Sequence, residues 1–506
     1  MTSITIYDGT STIGGSKIYL KEKEEGIFLD FGMNFKKYGD YFQEFISPRK
    51  PRGIHDLIQL NLIPKIDVYR NDLIPVDIDH SSFPSLNVNA IIVSHAHMDH
   101  CGNIGLLKPD YPIIASPSTI MLLKAMLDCS SAMLGSDVAY YSLKLPDKDK
   151  RILKPERNKD YGRDFICTEP YSESFQEFLH SSIKSKTTLK EGNLSSLNDF
   201  SSNFEVKSFE VDHSIYGATA YIVSGENSIA YTGDFRLHGK KRKSSEKFIQ
   251  NAKEASVLII EGTRATREDV YESEQKVYEK CLKTAEEAKG VIIADFTARN
   301  FERLEMFNSI ATKIDRTLII TPKDAYLLKA LQKADEIDRI KNIGIYSDLK
   351  STTRGWEKYL TNEENEINYI DPAEISKDPD NFILCFSLFD IKNLLDIKPS
   401  KGSYIYSSSE AFTEESEFDF VRLNNWLKFF GITINGFEII EEKGKEKPKF
   451  TKGFHASGHA SRKDLLWAID TINPDIVIPV HTDNPQWFKD NFDNAILMKD
   501  GDTFKI

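Results

Sequence analysis

Three imidazoles and one carboxylate lie within six positions of this chain, in the segment Ser94-His-Ala-His-Met-Asp-His-Cys-Gly102. They are His95, His97, Asp99 and His100, and they directly follow an apolar run. Burying four such groups together without a binding partner would cost several kcal/mol. A metal ion offsets that cost, so the segment predicts a metal site.

Further ligands must come from other segments of the chain. Four groups on one loop point in two directions and cannot complete the coordination shells of two ions. His213, Asp234 and His481 are the candidates, since each follows a predicted strand. The donors are nitrogen and oxygen without sulfur, which suits Zn²⁺, with Mn²⁺ as the second option. The five cysteines are scattered and never spaced as CxxC, so we expect buried thiols rather than disulfides or a thiolate site.

Short apolar runs predict the elements that position these groups. The first half of the chain has predicted strands that end in, or lead to, polar side chains: Gly26–Asp30, Ala90–Ser94, Ile229–Asp234 and Val257–Glu261. A site at one edge of a sheet follows. From about residue 266 predicted helices and strands alternate, which favours a parallel sheet: helix Glu272–Lys289, strand Gly290–Asp295, strand Leu318–Thr321 and helix Ala325–Ala334.

Three further segments complete the organisation. Residues 145–205 are polar and are expected to form a surface insertion, and Glu441–Lys452 is expected to be a charged loop. Asp475–His481 resembles the strands of the first region. The simplest arrangement is an α/β domain inserted into a β-rich host, with boundaries 1–264, 265–450 and 451–506.

The motif order resembles that of the metallo-β-lactamase superfamily, whose HxHxDH segment is followed by a distant His, Asp and His. The resemblance implies that His95, His97 and His213 hold one ion, that Asp99, His100 and His481 hold the other, and that Asp234 bridges them. Asp30 matches an early strand-end Asp that orients the metal loop from outside the ligand set. The resemblance therefore implies two Zn²⁺ per chain.

The insertion narrows the resemblance to the β-CASP nucleases, and within them to ribonuclease J. It implies an α/β fold, the αββα sandwich of the superfamily with an inserted parallel α/β β-CASP domain. Asp99, Glu261 and His459 are the implied catalytic residues, with His459 as proton donor and Glu261 as its partner. His455, Ser457 and Gly458 match positions that contact a substrate phosphate.

These features predict a metal-dependent ribonuclease that acts on single-stranded RNA, 5′-to-3′ from a monophosphate end, with endonuclease cleavage as a second mode. A DNA nuclease, a thioester or lactone hydrolase, and an inactive RNA-binding scaffold are the alternatives. The net charge of −12 argues mildly against a nucleic-acid partner, but a cleft needs only local positive potential. Arg264, Arg267, Arg299 and Lys240–Lys243 are candidates for contact with the RNA backbone, but a solvated charged face is the expectation for each.

The chain ends bear on which relatives it resembles. Only about 25 residues follow His481, and the metal fold begins near residue 4, so we expect an archaeal-type or stand-alone form without an accessory RNA-binding module. No apolar run is long enough for a membrane helix and no signal sequence is evident. A cytoplasmic protein is expected, and a homodimer is a further option.

Overall fold

The computed structural model describes the chain except for residues 44, 131–132, 185, 254, 268–271, 298, 363–366, 410–413 and 443. The strands of the first half are β1 Thr2–Asp8, β2 Lys17–Glu22, β3 Glu25–Phe31, β4 Ala90–Ile92, β5 Ile113–Ala115, β6 Tyr140–Tyr141, β7 Lys144–Pro146, β8 Leu153–Pro155, β9 Lys159–Gly162, β10 Phe165–Cys167, β11 Thr188–Lys190, β12 Leu194–Ser196, β13 Glu205–Glu210, β14 Thr219–Ser224, β15 Ser228–Tyr231 and β16 Val257–Glu261. Those of the second half are β17 Val291–Asp295, β18 Thr317–Ile320, β19 Gly344–Tyr346, β20 Tyr369–Ile370, β21 Phe382–Cys385, β22 Gly402–Tyr406, β23 Ile432–Asn435, β24 Phe437–Glu442, β25 Lys445–Phe450, β26 Ile476–Val480 and β27 Thr503–Lys505.

The helices alternate with these strands. They are α1 Phe35–Gly39, α2 His55–Gln59, α3 Met98–Cys101, α4 Pro117–Cys129, α5 Glu173–His180, α6 Arg242–Asn251, α7 Glu274–Glu287, α8 Phe301–Lys313, α9 Pro322–Asp335, α10 Gly355–Asn362, α11 Pro372–Lys377, α12 Leu394–Ile397, α13 Glu414–Phe429, α14 Arg462–Ile472 and α15 Gln486–Asn491. Among the described residues, no helix is long and apolar enough to span a membrane.

Two sheets face each other across one apolar core. The first has eight strands in the order β12-β10-β5-β4-β3-β2-β1-β27, and the second has five in the order β13-β14-β15-β16-β26. Alternate residues of both sheets, such as Ile4, Leu20, Val223 and Ile259, are fully buried between them. The remaining apolar residues of each strand therefore face outward, where helices must cover them.

Helices cover both outer faces. Ile120 and Leu127 of α4 join the core on the outside of the first sheet. Phe248 of α6 and Leu465 and Ile469 of α14 pack on the outside of the second. The layers are thus helix, sheet, sheet and helix, and the predicted αββα sandwich is confirmed.

A separate seven-stranded sheet lies between β16 and β26 in the sequence. Its order is β20-β19-β18-β21-β17-β22-β23, and every neighbouring pair is parallel. The five residues Val291–Asp295 of β17 are all buried, as expected of a strand covered by helices on both faces. The chain then returns to the sandwich, where β26 pairs in parallel with β16.

The sandwich and this sheet share a buried polar contact between α4 and α9. The Tyr326 hydroxyl of α9 donates to Oδ2 of Asp128 in α4 at 2.7 Å, and Tyr140 donates to Oδ1 at 2.8 Å. Lys124 supplies the charge partner, with Nζ 2.5 Å from Asp128. Because every member has a partner, the contact is compatible with burial.

Two predictions about loops were wrong. Phe165–Cys167, within the supposed surface insertion 145–205, forms a strand between β5 and β12 because these three apolar residues are buried in the first sheet. The charged segment after residue 441 belongs to the antiparallel hairpin of β24 and β25. Its rings Phe437 and Phe450 pack against Tyr406 while its charged side chains face outward.

Candidate active site

The sequence-predicted metal ligands meet at one end of the sandwich. His95 and His97 follow β4, Asp99 and His100 lie in α3, His213 lies between β13 and β14, Asp234 follows β15, and His481 follows β26. Strands β15, β16 and β26 are parallel neighbours, so the residues that follow them emerge at one edge of the sheet. Side chains up to 386 positions apart in sequence are brought together by this topology.

One group of three imidazoles converges nitrogen to nitrogen. Nδ1 of His97 lies 3.0 Å from Nε2 of His95 and 3.2 Å from Nε2 of His213. The second group joins His481, whose Nε2 is 3.2 Å from Oδ2 of Asp99, with His100, whose Nε2 is 3.9 Å from the same oxygen. In each group the ligand atoms lie within 4.8 Å of one another.

Asp234 stands between the two groups. Its Oδ2 atom is 3.8 Å from Nε2 of His95 and 3.9 Å from Nε2 of His213 on one side. On the other side it is 3.2 Å from Nε2 of His100 and 3.7 Å from Nε2 of His481. A carboxylate so placed can bridge two ions.

The structure fits a metal at this position. Nε2 of His100 and Oδ1 of Asp234 are buried polar atoms that have no hydrogen-bond partner among the residues that the structure describes. Such atoms are costly unless something else binds them, and a cation supplies what both need. The donor set of imidazoles and carboxylates is the one that zinc and manganese take.

Metal binding needs neutral imidazoles and ionised carboxylates, and most of the ligand side chains meet this requirement. Burial lowers the pKa of His95 and His97 well below the usual range and lowers that of His213 to about 4. Burial alone would raise the pKa of Asp99, but the charges of His100 and His481 lower it. Asp99, Asp234 and these three imidazoles therefore have free lone pairs near neutral pH. Burial would lower the pKa of His100, but the charges of Asp234, Asp99 and Asp30 raise it well above the usual range, so a metal would displace the proton of this ring.

Asp30 holds the metal loop from behind. Its Oδ2 accepts from Nδ1 of His100 at 2.7 Å and from the Tyr231 hydroxyl at 2.6 Å. Both the amide and the hydroxyl of Ser94 donate to the same carboxylate at 2.7 Å. The carboxylate thus fixes which nitrogen of His100 faces the ligand group.

Other positioning residues gave no signal in the sequence. The Thr263 hydroxyl lies 2.9 Å from Nδ1 of His481, and the carbonyl of Gly458 lies 2.6 Å from Nδ1 of His213. Gly32 permits close backbone approach, because a Cβ there would lie 1.7 Å from the carbonyl oxygen of Asp99. These contacts join segments distant in sequence, so no local pattern indicates them.

Glu261 and His459 form a pair at the rim of the ligand groups. Nδ1 of His459 is 2.9 Å from Oε2 of Glu261 and 3.7 Å from Oδ2 of Asp234. Burial would lower the pKa of His459, but these two carboxylates raise it to about 9. With Nδ1 bound to Glu261, the Nε2–H of a protonated His459 is the group left to act as an acid.

The segment that carries His459 is fixed by a buried cluster of ions. Arg236, which is fully buried, pairs with Asp212 at 2.8 Å, Glu274 at 2.8 Å and Glu302 at 2.7 Å. The second arginine, Arg303, donates to Glu274 at 2.7 Å. The cluster spans the sandwich and helices α7 and α8, so it ties the two together.

Both arginines also donate to the backbone before His459. Arg236 reaches the carbonyl of Ser457 at 3.3 Å and Arg303 reaches that of Phe454 at 3.3 Å. His238, to which the sequence gave no clear role, lies 2.8 Å from the Ser457 carbonyl. The main chain of this segment is therefore held from both sides.

His455, Ser457 and Gly458 lie in this segment. The Ser457 hydroxyl accepts from the His459 amide at 3.2 Å. Burial and the charge of Arg303 lower the pKa of His455 to about 3, and its Nδ1 has no hydrogen-bond partner. A Cβ at Gly458 would lie 2.9 Å from the Ser214 hydroxyl, which explains the small residue there.

A cavity of about 1130 Å³ opens between α3 and α4 of the sandwich and the carboxyl ends of β17, β18, β21 and β22. Its wall includes Met98 and Cys101, which flank Asp99 and His100 in α3. Arg299 also lines it and is half-buried, so the expectation of a solvated side chain was wrong at this position. The reason is the packing of the residue between the α3–α4 region and the start of α8.

Two family models match parts of the chain that carry the site. Residues 75–118 match the metallo-beta-lactamase superfamily, and residues 449–494 match the Zn-dependent metallo-hydrolase RNA specificity domain. The first match contains His95 to His100, and the second contains His459 and His481. Together with the sandwich and the ligand groups, these matches show the metallo-β-lactamase fold and a metal-dependent hydrolase.

Several ribonuclease J proteins are similar to this chain over nearly its whole length. The protein of Pyrococcus abyssi is 23% identical over 95% of this chain and 90% of its own. The protein of Methanocaldococcus jannaschii is 23% identical over 94% of this chain and 90% of its own. The protein of Mycoplasma genitalium is 21% identical over 95% of this chain and 68% of its own.

A solved structure has the same fold across both parts of the chain. This protein of unknown function from Enterococcus faecalis V583 is 22% identical, covers 99% of both chains and has a TM-score of 0.68. The likeness extends over the sandwich and the seven-stranded sheet together.

Proposed function

We propose that the protein is a metal-dependent ribonuclease that hydrolyses single-stranded RNA. The observation that carries the proposal is the convergence of seven ligand side chains with the Glu261–His459 pair, beside a cavity large enough for a polymer. The RNA specificity segment, residues 449–494, supplies His459 and His481 to this site. The similarity to ribonuclease J proteins supports RNA as the polymer.

His95, His97 and His213 would hold one ion and Asp99, His100 and His481 the other, with Asp234 shared; two Zn²⁺ are proposed, with Mn²⁺ as the alternative. When bound, such ions polarise the phosphodiester and lower the pKa of a coordinated water to about 7.

His459 and Glu261 supply the proton that the reaction needs. The Nε2–H of His459 donates to the leaving 3′-oxygen, and Glu261 accepts from Nδ1–H and stabilises the imidazolium beforehand. Arg236, Arg303 and His238 hold the backbone of this segment and thereby limit where the ring can move.

The direction of cleavage rests on the segment before His459. In the proposal, His455, Ser457 and the N–H of Gly458 bind a 5′-terminal monophosphate, so that cleavage proceeds 5′ to 3′, with internal cleavage as a second mode. The Ser457 hydroxyl accepts from the His459 amide and keeps its own proton for a phosphate oxygen. A cytoplasmic location and a homodimer are part of the same proposal.

One assay tests the reaction class. Purified protein with Zn²⁺ or Mn²⁺ is given RNA and DNA of one sequence, labelled at either end, with Asp234→Asn as the inactive control. RNA cleavage that Asp234→Asn abolishes is expected. Cleavage of DNA alone, or hydrolysis of a thioester without nucleic-acid cleavage, contradicts the proposal.

A second assay tests the direction. RNAs with 5′-hydroxyl, monophosphate and triphosphate ends are compared with wild type and Ser457→Ala. A preference for the monophosphate that Ser457→Ala weakens is expected. Equal rates on all three ends with only internal products would show an endonuclease without this phosphate pocket.

A further inference from the structure

Arg299 is an arginine without an acidic hydrogen-bond partner at the edge of the metal site. Within the described part of the chain its one hydrogen bond is from Nη1 to the sulfur of Met126, at 3.7 Å, and its Nε is buried without a partner. A desolvated guanidinium is normally paired with a carboxylate, because an unpaired buried charge is costly. Five N–H donors on a rigid fork are thus held near the site with most of their capacity unused.

The electrostatics place Arg299 beside the metal loop. Burial and the charge of His213 lower the pKa of His97, and the charge of Arg299 lowers it further. Burial lowers the pKa of Arg299 itself, and its interactions with Cys101 and Asp99 oppose that shift. Arg299 is therefore within electrostatic reach of ligands from both metal groups, but it is not hydrogen-bonded to any of them.

Arg299 also lines the large cavity. Three other cations line it, Lys323, Lys350 and Arg354, and of these Lys350 is paired with Glu357 at 2.6 Å while Lys323 acts on Asp324. The charge of Arg299 acts on His97, and the cavity wall beside it includes Met98 and Cys101 of the metal loop. Arg299 marks the end of the cavity that adjoins the metal loop.

The backbone of Arg299 is held in an uncommon conformation. Its φ of 71° lies in the left-handed region, where a non-glycine residue is unusual. Asn300 caps α8 directly after it, accepting from the Arg303 amide at 3.1 Å. Strain of this kind persists only where the surroundings impose it, and here it directs a long cation toward the cavity.

We propose that Arg299 binds a non-scissile phosphate of the RNA backbone, at the linkage next to the one being cut. This inference rests on the proposed ribonuclease function and adds a substrate-binding residue to it. The guanidinium fork matches two phosphate oxygens, and the phosphate supplies the counter-charge that the described residues do not. A polymer in the cavity would pass Arg299 on its way to or from the metal site.

Binding of fluorescent RNA in EDTA measures the contact without cleavage. Arg299→Gln is expected to weaken binding roughly 10- to 100-fold. It should also reduce the slope of log affinity against log salt by about 0.7, the value for one phosphate on a single strand. Arg299→Lys keeps the positive charge, so it should retain the wild-type salt slope and part of the wild-type affinity for RNA. Arg422→Gln, at an exposed arginine of α13, is the matched control.

A neutral methylphosphonate, scanned one linkage at a time, locates the contact. A methylphosphonate at one linkage beside the scissile bond should weaken RNA binding by wild type. The same methylphosphonate should not change RNA binding by Arg299→Gln. Metal content, measured by elemental analysis, should be unchanged in both Arg299 variants.

The inference is overturned if Arg299→Gln binds RNA with the affinity and the salt slope of wild type. It is also overturned if the substitution leaves the methylphosphonate profile unaltered. Loss of bound metal in Arg299→Lys also overturns it, because the residue would then be structural. If wild type binds RNA without cutting it, the proposed ribonuclease function fails, whereas the salt slope and the scan still decide the role of Arg299.

Discussion

Nδ1 of His459 lies 2.9 Å from Oε2 of Glu261, although 198 positions separate the two residues in the chain. Glu261 ends β16 and His459 precedes α14, so the pair joins the strand before the seven-stranded sheet to the segment after it. The distance is that of a charge-assisted hydrogen bond. Proton donation by His459 depends on both elements keeping their places.

His459→Ala is expected to lose roughly 10²- to 10⁴-fold in rate, the range for a positioned general acid. Glu261→Gln should lose less, because its amide oxygen still accepts from Nδ1–H. Both variants should bind metal normally, measured by elemental analysis after gel filtration, with His80→Ala at an exposed histidine as control. Parallel loss of metal and rate in His459→Ala would make this residue a ligand.

His97→Ala and Asp234→Asn are expected to abolish activity and reduce metal content. His97 is in contact with both other imidazoles of its group, and Asp234 faces both groups. Circular dichroism should show the fold retained, since the cores of both parts are apolar and do not include these side chains. His80→Ala and Asp79→Asn, at exposed positions, serve as controls. Full activity in either ligand variant refutes the metal assignment.

Asp30→Asn is expected to weaken metal binding roughly 10- to 100-fold, as does loss of other outer partners of metal ligands. The amide has one acceptor oxygen where the carboxylate has two, so it cannot accept all the hydrogen bonds that Ser94, His100 and Tyr231 donate to Asp30. Tyr231→Phe, which removes one donor, should have a smaller effect. Competition with a chromogenic chelator measures the metal affinity of both variants. A metal affinity of Asp30→Asn equal to that of wild type would show that the metal loop does not need Asp30 for its orientation.

Asp295 should make stability fall with pH. Burial raises the pKa of this carboxyl to about 7, although the Tyr404 hydroxyl donates to it. Between about pH 4 and 7 the unfolded chain has released this proton and the folded one retains it. The group's stabilising contribution is therefore complete below pH 4 and is lost as pH rises toward 7, by at most about 4 kcal/mol.

Urea unfolding of wild type and Asp295→Asn across pH 4–8 measures this difference. The variant should show a smaller decline than wild type, because an amide does not titrate, whereas Asp324, whose pKa burial raises to about 6, still does. Asp475→Asn, at an exposed carboxyl, should follow wild type. Parallel curves for Asp295→Asn and wild type would contradict the prediction.

The sequence alone determined the fold class and the set of candidate ligands. Apolar runs such as Ala90–Ile92 and Val291–Asp295 predict buried strands from local pattern, and polar residues placed directly after strands predict a site at a sheet edge. His95, His97, Asp99 and His100 are close in space because they are close in sequence. Hydrophobic burial of the strands decides such features, and it can be predicted one segment at a time.

Only the tertiary structure decided which distant groups meet. Arg236 reaches three carboxylates and the Ser457 carbonyl, and Thr263 reaches His481, through contacts that span 24 to 221 positions. Arg299 is half-buried because α4 and the start of α8 close around it. Such contacts depend on how whole elements pack, and a side chain's type and its neighbours in sequence do not specify that packing.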